Sequence, residues 1–192
     1  LPPEIDGRLT EDAWPTDGPV PTLYPSWEGS ELEGETAFFF GYDDENLYLG
    51  AICLDEAASG LTSRAEERDG PVYNDDCVGY FLQPPSEEGS VYQIYVNPSG
   101  VVFDQEIVFL EDGETYQTDV DWDGEMEVAT HRDQSFWSAE IRIPHAALGG
   151  DADYGTVWGL NFRRKQAGTN SAVEWQVPID YHPSTFGELS FQ

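Results

Sequence analysis

The chain has 192 residues, and 38 Asp and Glu against 8 Lys and Arg give it a formal net charge of -30. The negative electrostatic field of such a chain repels nucleic acids and anionic membrane surfaces, so we expect neither as a partner. Apolar residues make up 39% of the chain, and no apolar run approaches the ~20 residues of a membrane span. We expect one folded domain over residues 1–192, without membrane insertion, since β-sandwiches reach this length as a single unit.

The excess of carboxylates repels itself and destabilises the compact chain unless counter-ions screen it, within ~10 Å at 0.1 M salt. This charge indicates adaptation to a saline habitat, bound metal cations, or both. A simpler alternative is that the acidic side chains only keep the surface hydrated. Because the chain starts at Leu1 without a signal peptide, we expect a mature secreted chain or an excised module.

Short alternations of apolar and polar residues, bounded by Gly, Pro, Asn and Asp, recur along the chain and predict antiparallel strands. Helical periodicity is nearly absent, with one short turn predicted after Thr10 and another over Pro144–Leu148. Strands at this spacing without long helices predict an all-β fold, an antiparallel two-sheet β-sandwich of jelly-roll type. The predicted strands are Thr36–Tyr42, Asn46–Leu54, Cys77–Gln83, Val91–Asn97, Val102–Phe109, Met126–His131, Phe136–Ile143, Val157–Lys165, Val173–Val177 and Glu188–Phe191.

Cys53 and Cys77 are the only cysteines, and each lies in a predicted strand. The sequence leaves two alternatives open. The cysteines either form one disulfide in an oxidising compartment or remain two buried thiols that pack as small apolar side chains.

Eight short motifs follow one another along almost the whole chain. Together they resemble the family 9 carbohydrate-binding modules. The resemblance implies a secreted or surface module of a larger protein that binds an oligosaccharide or polysaccharide without changing it, and that holds structural calcium. The motifs are Ile5-Asp6-Gly7-Arg8-Leu9 with Ala13-Trp14, Tyr42-Asp43 with Leu47-Tyr48-Leu49, Asp55, Asp75-Asp76-Cys77-Val78, Tyr95-Val96-Asn97, Ala139-Glu140-Ile141-Arg142-Ile143-Pro144, Gly159-Leu160-Asn161-Phe162 and Phe186-Gly187-Glu188-Leu189.

A further set of motifs carries a closer resemblance, to the family-9-like N-terminal domain of bacterial outer-membrane proteins of unknown function. This resemblance favours an alternative, a structural or sensor domain at the cell surface that kept the sandwich and lost the sugar site. The motifs are Arg68-Asp69-Gly70, Asn97-Pro98-Ser99-Gly100-Val101, Trp122-Asp123-Gly124 and Asn161-Phe162-Arg163-Arg164.

The same superfamily includes DOMON-type haem-binding cytochromes, which need axial ligands. The chain has no Cys-x-x-Cys-His for covalent haem attachment. A methionine in a strand is usually part of the core and histidines in polar loops are usually solvated, so haem binding is disfavoured. The available donors are Met126, His131, His145, His182 and Lys165.

In sugar-binding members of the resembled family, two aromatic rings clamp a terminal sugar, because pyranose C–H faces pack on aromatic faces. The resemblance implies that Tyr73 supplies one ring and that Tyr181, one position out of register, supplies the other. Trp175, further upstream, is another candidate for the second ring, but it lies in an alternating strand, where a core position is the simpler interpretation. Tyr73 and Tyr181 have a simpler interpretation too, as half-exposed loop tyrosines.

Polar positions of the family's site match this chain in part. Asp55 and Asn97 match, and Tyr95 lies two residues from Asn97, so both side chains are expected on one face of the same strand. Gly79 stands where the family has a glutamate, and Tyr95 stands where it has an arginine. The resemblance thus predicts a site with Asp55, Tyr95 and Asn97 on its floor, and with weaker binding than in the family.

A calcium site is suggested by the run Asp119-Val120-Asp121-Trp122-Asp123-Gly124. Carboxylates at alternate positions followed by glycine match the first half of an EF-hand loop. The twelfth position is Thr130 rather than glutamate, and no helices are predicted beside it, so the run is not an EF-hand. Loops of this kind between strands also bind calcium, which predicts Asp119, Asp121 and Asp123 as ligands. In so acidic a chain, the spacing could also arise by chance.

Motifs for catalysis are absent from the sequence. It has no Gly-x-Ser-x-Gly, no phosphate-binding glycine loop and no His-Glu-x-x-His. Pairs of carboxylates such as Glu106 and Glu140 are easily found among 38 acidic residues, and without a measured separation they do not indicate a glycosidase. We therefore expect a binding domain rather than an enzyme.

Overall fold

The computed structural model describes residues 2–10, 12–14, 21–32, 34–55, 60–85, 89–150, 155–178 and 180–191. Within these ranges two antiparallel sheets form a β-sandwich, which confirms the predicted fold class. The strands are β1 (Tyr24–Pro25), β2 (Thr36–Tyr42), β3 (Asn46–Leu54), β4 (Cys77–Gln83), β5 (Val91–Val96), β6 (Val102–Phe109), β7 (Tyr116–Asp119), β8 (Glu127–Arg132), β9 (Phe136–Pro144), β10 (Val157–Gln166), β11 (Ser171–Glu174) and β12 (Gly187–Ser190).

Helical structure in the described ranges is limited to short 3-10 helices at Val72–Asn74, His145–Leu148 and Pro183–Thr185. None of these helices has the length or apolar character to cross a membrane. The helical turn predicted over Pro144–Leu148 is present as the 3-10 helix His145–Leu148. It begins one residue later than predicted, with Pro144 as its N-cap. At the first predicted turn, residues 12–14 form a turn, and residue 11 lies outside the described ranges.

The larger sheet has the order β1-β11-β10-β4-β5-β6-β7, and β12 also pairs with β10. The long strand β10 pairs with β12 through its first half and with β11 through its second half, while β4 lies along its other edge. The second half of β10 therefore has a neighbouring strand on both sides. Its side chains alternate between the space inside the sandwich and the outer face of the sheet.

The smaller sheet has the order β2-β3-β9-β8, and its inner face packs on the inner face of the larger sheet. Leu49 and Ile141 from the smaller sheet and Tyr80, Ile94 and Phe162 from the larger sheet are almost fully buried between them. Burying a large apolar side chain of this kind contributes about 1.5–3 kcal/mol, so this core is the main source of stability.

Both cysteines are free thiols, which settles the alternative that the sequence left open. Cys53 lies in the core between the sheets, whereas Cys77 belongs to the apolar cluster on the outer face of the larger sheet. Burial raises the pKa of each thiol to about 12, so both are protonated at neutral pH.

Candidate ligand-binding cleft

The outer face of the larger sheet is unusually apolar at its centre. Outward side chains of β4, β5 and β6 form a second hydrophobic cluster that includes Phe81, Tyr95 and Phe103. Tyr181 and Phe186, from the segment before β12, pack against the same cluster. An aromatic face that the protein covers only in part is a common property of binding surfaces.

Two adjoining cavities of about 610 and 500 Å³ open onto this face, a size typical of small-molecule sites. We call them together the aromatic cleft, and separately the Lys165 half and the His182 half. Both halves are lined by Gln93, Tyr95, Tyr116, Arg163 and Tyr181. The Lys165 half is also lined by Trp27, Tyr73, Asn74, Phe103, Gln105, Thr118, Lys165 and Asn170, and the His182 half by Phe81, Phe109, Glu114, Asp180 and His182.

Tyr73 forms one wall of the Lys165 half, with 44% of its surface exposed. Its ring packs edge-to-face on Phe103 and Tyr95, with centroids 5.3 and 6.5 Å away. The Lys165 Nζ donates a hydrogen bond to the Tyr73 carbonyl across 2.9 Å, which ties this loop to β10. The ring is therefore held in place before any ligand arrives, which lowers the entropy cost of binding.

Tyr181 lines both halves of the cleft from the C-terminal segment. Its ring packs edge-to-face on Tyr116, with centroids 5.2 Å apart, and lies tilted over Phe81 at 6.3 Å. The two tyrosines expected from the sequence, Tyr73 and Tyr181, therefore line the same cavity on one face of the sandwich.

The centre of the cleft floor is built from Gly79, Tyr95 and Arg163, which lie opposite one another on three paired strands. A Cβ atom on Gly79 would be 2.4 Å from the Tyr95 ring and 3.2 Å from Arg163 Cγ. The Tyr95 ring therefore occupies the space that a side chain at position 79 would fill. Burial raises the pKa of the Tyr95 hydroxyl, and the nearby Arg163 guanidinium offsets this shift in part.

Two glutamines add polar groups to this floor. Gln93 on β5 lies opposite Gln105 on β6, and the Gln105 amide donates to the Gln93 carbonyl oxygen. Both side chains are nearly buried, so they are held rigidly beside the aromatic rings. Amide groups both donate and accept, which suits them to hydroxyl-rich ligands.

No protein-family profile matches the chain, and no curated protein matches it. Solved structures do match it, among them the following three. A candidate carbohydrate-binding protein from Bacteroides uniformis is 19% identical, with 90% of this chain and 87% of that chain covered and a TM-score of 0.71. A family 9 carbohydrate-binding module from Caldicellulosiruptor kristjanssonii, in complex with glucose, is 19% identical over 100% and 92% of the two chains, with a TM-score of 0.67.

The third structure is a family 9 module from the same organism in complex with cellotriose, 20% identical over 99% of this chain and 89% of that chain, with a TM-score of 0.69. The chain has the fold of the family 9 carbohydrate-binding modules. This result confirms the resemblance drawn from the sequence motifs. At such low identity the similarity establishes the fold alone, so the role of each side chain depends on the contacts within this chain.

Asp55, one of the polar residues expected in the site, lies outside the aromatic cleft of this family 9 fold. It is buried and accepts hydrogen bonds from Arg164 across 3.2 Å and from Gln166 across 3.0 Å. Arg164 and Gln166 are the inward side chains of β10, whereas Arg163 and Lys165 point to the outer face. Asp55 therefore offsets a buried positive charge inside the sandwich instead of facing the cleft.

Asn97 is also part of the scaffold. Its amide donates to the Asp75 carboxylate across 3.0 Å, and its carbonyl oxygen accepts from the backbone of Ser99 and Val101. Although Asn97 shares a strand face with Tyr95, it is fully buried and does not line the cleft. Strand alternation correctly predicts the face, but the loop that covers Asn97 keeps it from a ligand in the cleft.

Trp175 is partly buried and packs against the core, as the simpler of the two interpretations predicts. Its ring stacks on Phe162, with centroids 5.3 Å apart and planes 15° apart. Gly187 leaves the space for this ring, since a Cβ atom there would be 2.1 Å from it. Trp175 therefore supports the sheet below the cleft instead of contacting a ligand.

Asp119, Asp121 and Asp123 do not converge on one point. Asp119 accepts from the Asp121 backbone N–H, and Asp123 forms a 2.8 Å ion pair with Arg68. In the ranges that the structure describes, no group of three or more His, Cys, Asp or Glu side chains could hold a metal ion. The three aspartates do not fit a shared calcium ion in this arrangement, and calcium binding here stays a prediction.

His182, one of the donors considered for haem, lines the cleft with both ring nitrogens engaged. Nδ1 lies 2.7 Å from Ser184 Oγ, and Nε2 lies 3.1 Å from the Gly113 carbonyl oxygen. Haem ligation would break one of these contacts. Met126 packs against the core, and His145 lies beside Trp158.

Several cleft residues were not identified from the sequence: Trp27, Tyr116, Gln93, Gln105, Arg163 and Lys165. Strand alternation could have identified Arg163 and Lys165, because they alternate with the core residue Phe162 and with Arg164. Trp27 and Tyr116 had no such signal. They belong to short, exposed segments at the sheet edge, where no alternation is visible.

Proposed function

We propose that the chain is a non-catalytic carbohydrate-binding module whose aromatic cleft binds an oligosaccharide or a polysaccharide segment. The observation behind this proposal is that Tyr73 and Tyr181 line one cavity above a floor that also presents Gln93, Gln105 and Arg163. Aromatic faces suit the C–H faces of a pyranose, while amide and guanidinium groups suit its hydroxyls. Such a site needs no group that attacks a bond.

The fold supports this assignment, because two family 9 modules of the same fold were crystallised with glucose and with cellotriose. The cleft is open, and Gly79 and Tyr95 stand where the resembled family has a glutamate and an arginine, so we expect a Kd in the range of about millimolar to tens of micromolar, or about 4–6 kcal/mol. A secreted or surface-located parent protein, in a saline environment, fits both this function and the net charge of -30. Calcium binding is a separate proposal.

Calorimetric titration with glucose and cellotriose tests the proposal. We expect Tyr73→Ala to weaken binding at least about tenfold, because the exposed ring contributes apolar contact that no other side chain replaces. Tyr73→Phe should keep most of the affinity, since it retains the ring. The matched control is Tyr42→Ala, which removes a similarly exposed tyrosine (38%) on the smaller sheet.

Two outcomes would contradict the proposal. If the wild-type protein binds neither sugar nor any other glycan on an array, the chain is better described as a structural or sensor domain of the cell surface. If binding survives both Tyr73→Ala and Tyr181→Ala, a glycan binds elsewhere and the aromatic cleft is not the site.

A further inference from the structure

The Lys165 half of the cleft differs in charge from the rest of the molecule. None of the described residues that line it is Asp or Glu, although 38 of the 192 residues of the chain are acidic. It contains Arg163 and Lys165, two of the chain's 8 basic residues. A ligand in this half therefore meets positive charge on a protein that is otherwise strongly negative.

Both cations are fixed where a ligand can reach them. Arg163 and Lys165 are two residues apart on β10, so both point to the outer face, ~7 Å apart along the strand. Lys165 uses one of its three N–H donors on the Tyr73 carbonyl. Arg163 lies opposite Gly79 and next to the Tyr95 ring, and its guanidinium forms an ion pair with the buried Glu174 carboxylate at 3.7 Å, which is too long for a strong hydrogen bond. Its charge is therefore offset in part, and Lys165 supplies the less compensated positive charge of this half.

The His182 half has the opposite character. Glu114 and Asp180 line it, and the Asp180 carboxylate accepts from the His182 backbone N–H across 2.7 Å. A negative group on a ligand would be repelled there and attracted towards Arg163 and Lys165. The cleft is therefore polarised along its length, with the Tyr73 wall at its positive end.

We propose that the ligand of the aromatic cleft is an anionic glycan, with the carboxylate of a uronic acid or a sulfate ester bound by Arg163 and Lys165. This inference rests on the proposed glycan-binding function. Hydrogen bonds between charged partners are roughly twice as strong as neutral ones, so the charged group adds to the stacking on Tyr73. Glu174, 3.7 Å from Arg163, offsets part of the attraction, whereas carboxylates further away oppose binding little, because the Debye length is ~8 Å at 0.15 M salt.

Three sugars that share one ring test this inference: glucose, glucuronic acid and glucose 6-sulfate. In calorimetric titrations at about 0.15 M NaCl, we expect one or both charged sugars to bind at least about tenfold more tightly than glucose. The tighter of the two identifies carboxylate or sulfate as the preferred group. Equal or weaker binding of both charged sugars would overturn the inference while leaving the proposed function intact. Failure of all three sugars, of cellotriose and of every glycan on an array to bind would overturn both.

Charge-removing variants test the residues themselves. We define the preference as the Kd of glucose divided by the Kd of the charged sugar. Lys165→Gln and Arg163→Gln should each lower this ratio towards one. Arg8→Gln is the matched control, because it removes one positive charge from an exposed residue outside the cleft, and it should keep the wild-type preference. If Arg163→Gln does not fold, the Lys165→Gln result decides. A preference that persists in the folded variants would show that these cations do not bind the charged group, and would overturn the assignment.

Discussion

The Glu140 carboxylate accepts a hydrogen bond from the backbone N–H of Gly7 across 2.6 Å. The same carboxylate, fully buried, also accepts from the backbone of Asp6 and Leu9 and from the Trp14 indole. A Cβ atom on Gly7 would be 2.5 Å from the Thr130 carbonyl carbon, so only glycine fits there. Two motifs far apart in the sequence, near the N-terminus and in β9, thus form a single contact that attaches the N-terminal segment to the smaller sheet.

Glu140→Ala should lower the free energy of unfolding by about 3 kcal/mol, because it leaves buried N–H donors without an acceptor. Glu140→Gln should cost less, since its carbonyl oxygen can still accept. The control is Glu127→Ala, which removes an exposed carboxylate paired with Arg142 at 2.8 Å and should cost about 0–1 kcal/mol. Urea unfolding followed by tryptophan fluorescence measures all three. Equal losses for Glu140→Ala and Glu127→Ala would refute the anchoring role.

Most of the fold could be predicted from the sequence because sandwich strands alternate between a buried and a less buried side. β2, β3, β4 and β6 have the predicted bounds, whereas β11 begins two residues earlier than predicted and ends three residues earlier. β1 and β7 were not predicted. They are short and all their residues are exposed, so no alternation of buried and exposed positions marks them.

The site was predicted less completely. Similarity to family motifs predicted Tyr73, Tyr181, Asp55 and Asn97 in the site. The structure brings Tyr73 and Tyr181 to one cavity, whereas Asp55 and Asn97 are occupied by contacts inside this chain. The alternation of residues along a strand predicts which face of the sheet a side chain occupies. It does not predict whether a loop covers that side chain or whether an ion pair engages it. That information comes from contacts between residues far apart in the sequence, such as the 3.2 Å pair of Asp55 and Arg164.

Cys53 and Cys77 should not react with a thiol reagent in the native protein at pH 8. Both are fully buried, so a reagent cannot reach the sulfur atoms. Burial also raises the pKa of each thiol to about 12, so almost none of the reactive thiolate is present at pH 8. In denaturant without reductant, both thiols should react. With a reagent that releases a coloured thiolate on reaction, the absorbance measures the number of reactive thiols. Absence of reaction in denaturant would indicate a disulfide and contradict the structure.

Stability should rise with salt, since screening relieves repulsion among the 38 acidic side chains. Each kcal/mol gained should raise Tm by about 2–4 °C in a chain of this size. Thermal melts in dilute buffer and in NaCl up to molar concentration measure the effect. Sucrose is the uncharged control, because it stabilises without screening. A Tm that stays constant or falls in NaCl would show that repulsion does not limit stability.

Calcium binding at Asp119, Asp121 and Asp123 can be tested in the same melts. A calcium ion held by all three should raise the Tm of the wild-type protein, because a ligand that binds only the native state stabilises it. It would have to draw Asp123 away from Arg68. Asp121→Asn should reduce the increase in Tm, whereas Asp133→Asn, an exposed aspartate elsewhere, should keep it. No change of the wild-type Tm in millimolar calcium would exclude the site.

Gly79 and Tyr95 depend on each other, because the Tyr95 ring lies where a side chain at position 79 would be. Gly79→Ala should therefore cost about 1–3 kcal/mol of stability through overpacking and should weaken glycan binding by displacing the ring. Gly41→Ala is the matched control. It is also a strand glycine, but a Cβ atom there would meet its nearest neighbour at an ordinary 3.8 Å.

A double-mutant cycle isolates this contact. Tyr95→Ala alone should cost about 3 kcal/mol, since it empties the floor of the cleft. In that background, Gly79→Ala should cost much less than in the wild-type protein, because the ring atoms are gone and the only tight neighbour left is Arg163 Cγ at 3.2 Å, on a flexible side chain. Alanine also loses less backbone entropy than glycine on folding. The cycle is measured by urea unfolding of the four proteins. Strictly additive losses would mean that the ring does not lie over Gly79, and the proposed cleft floor would be wrong.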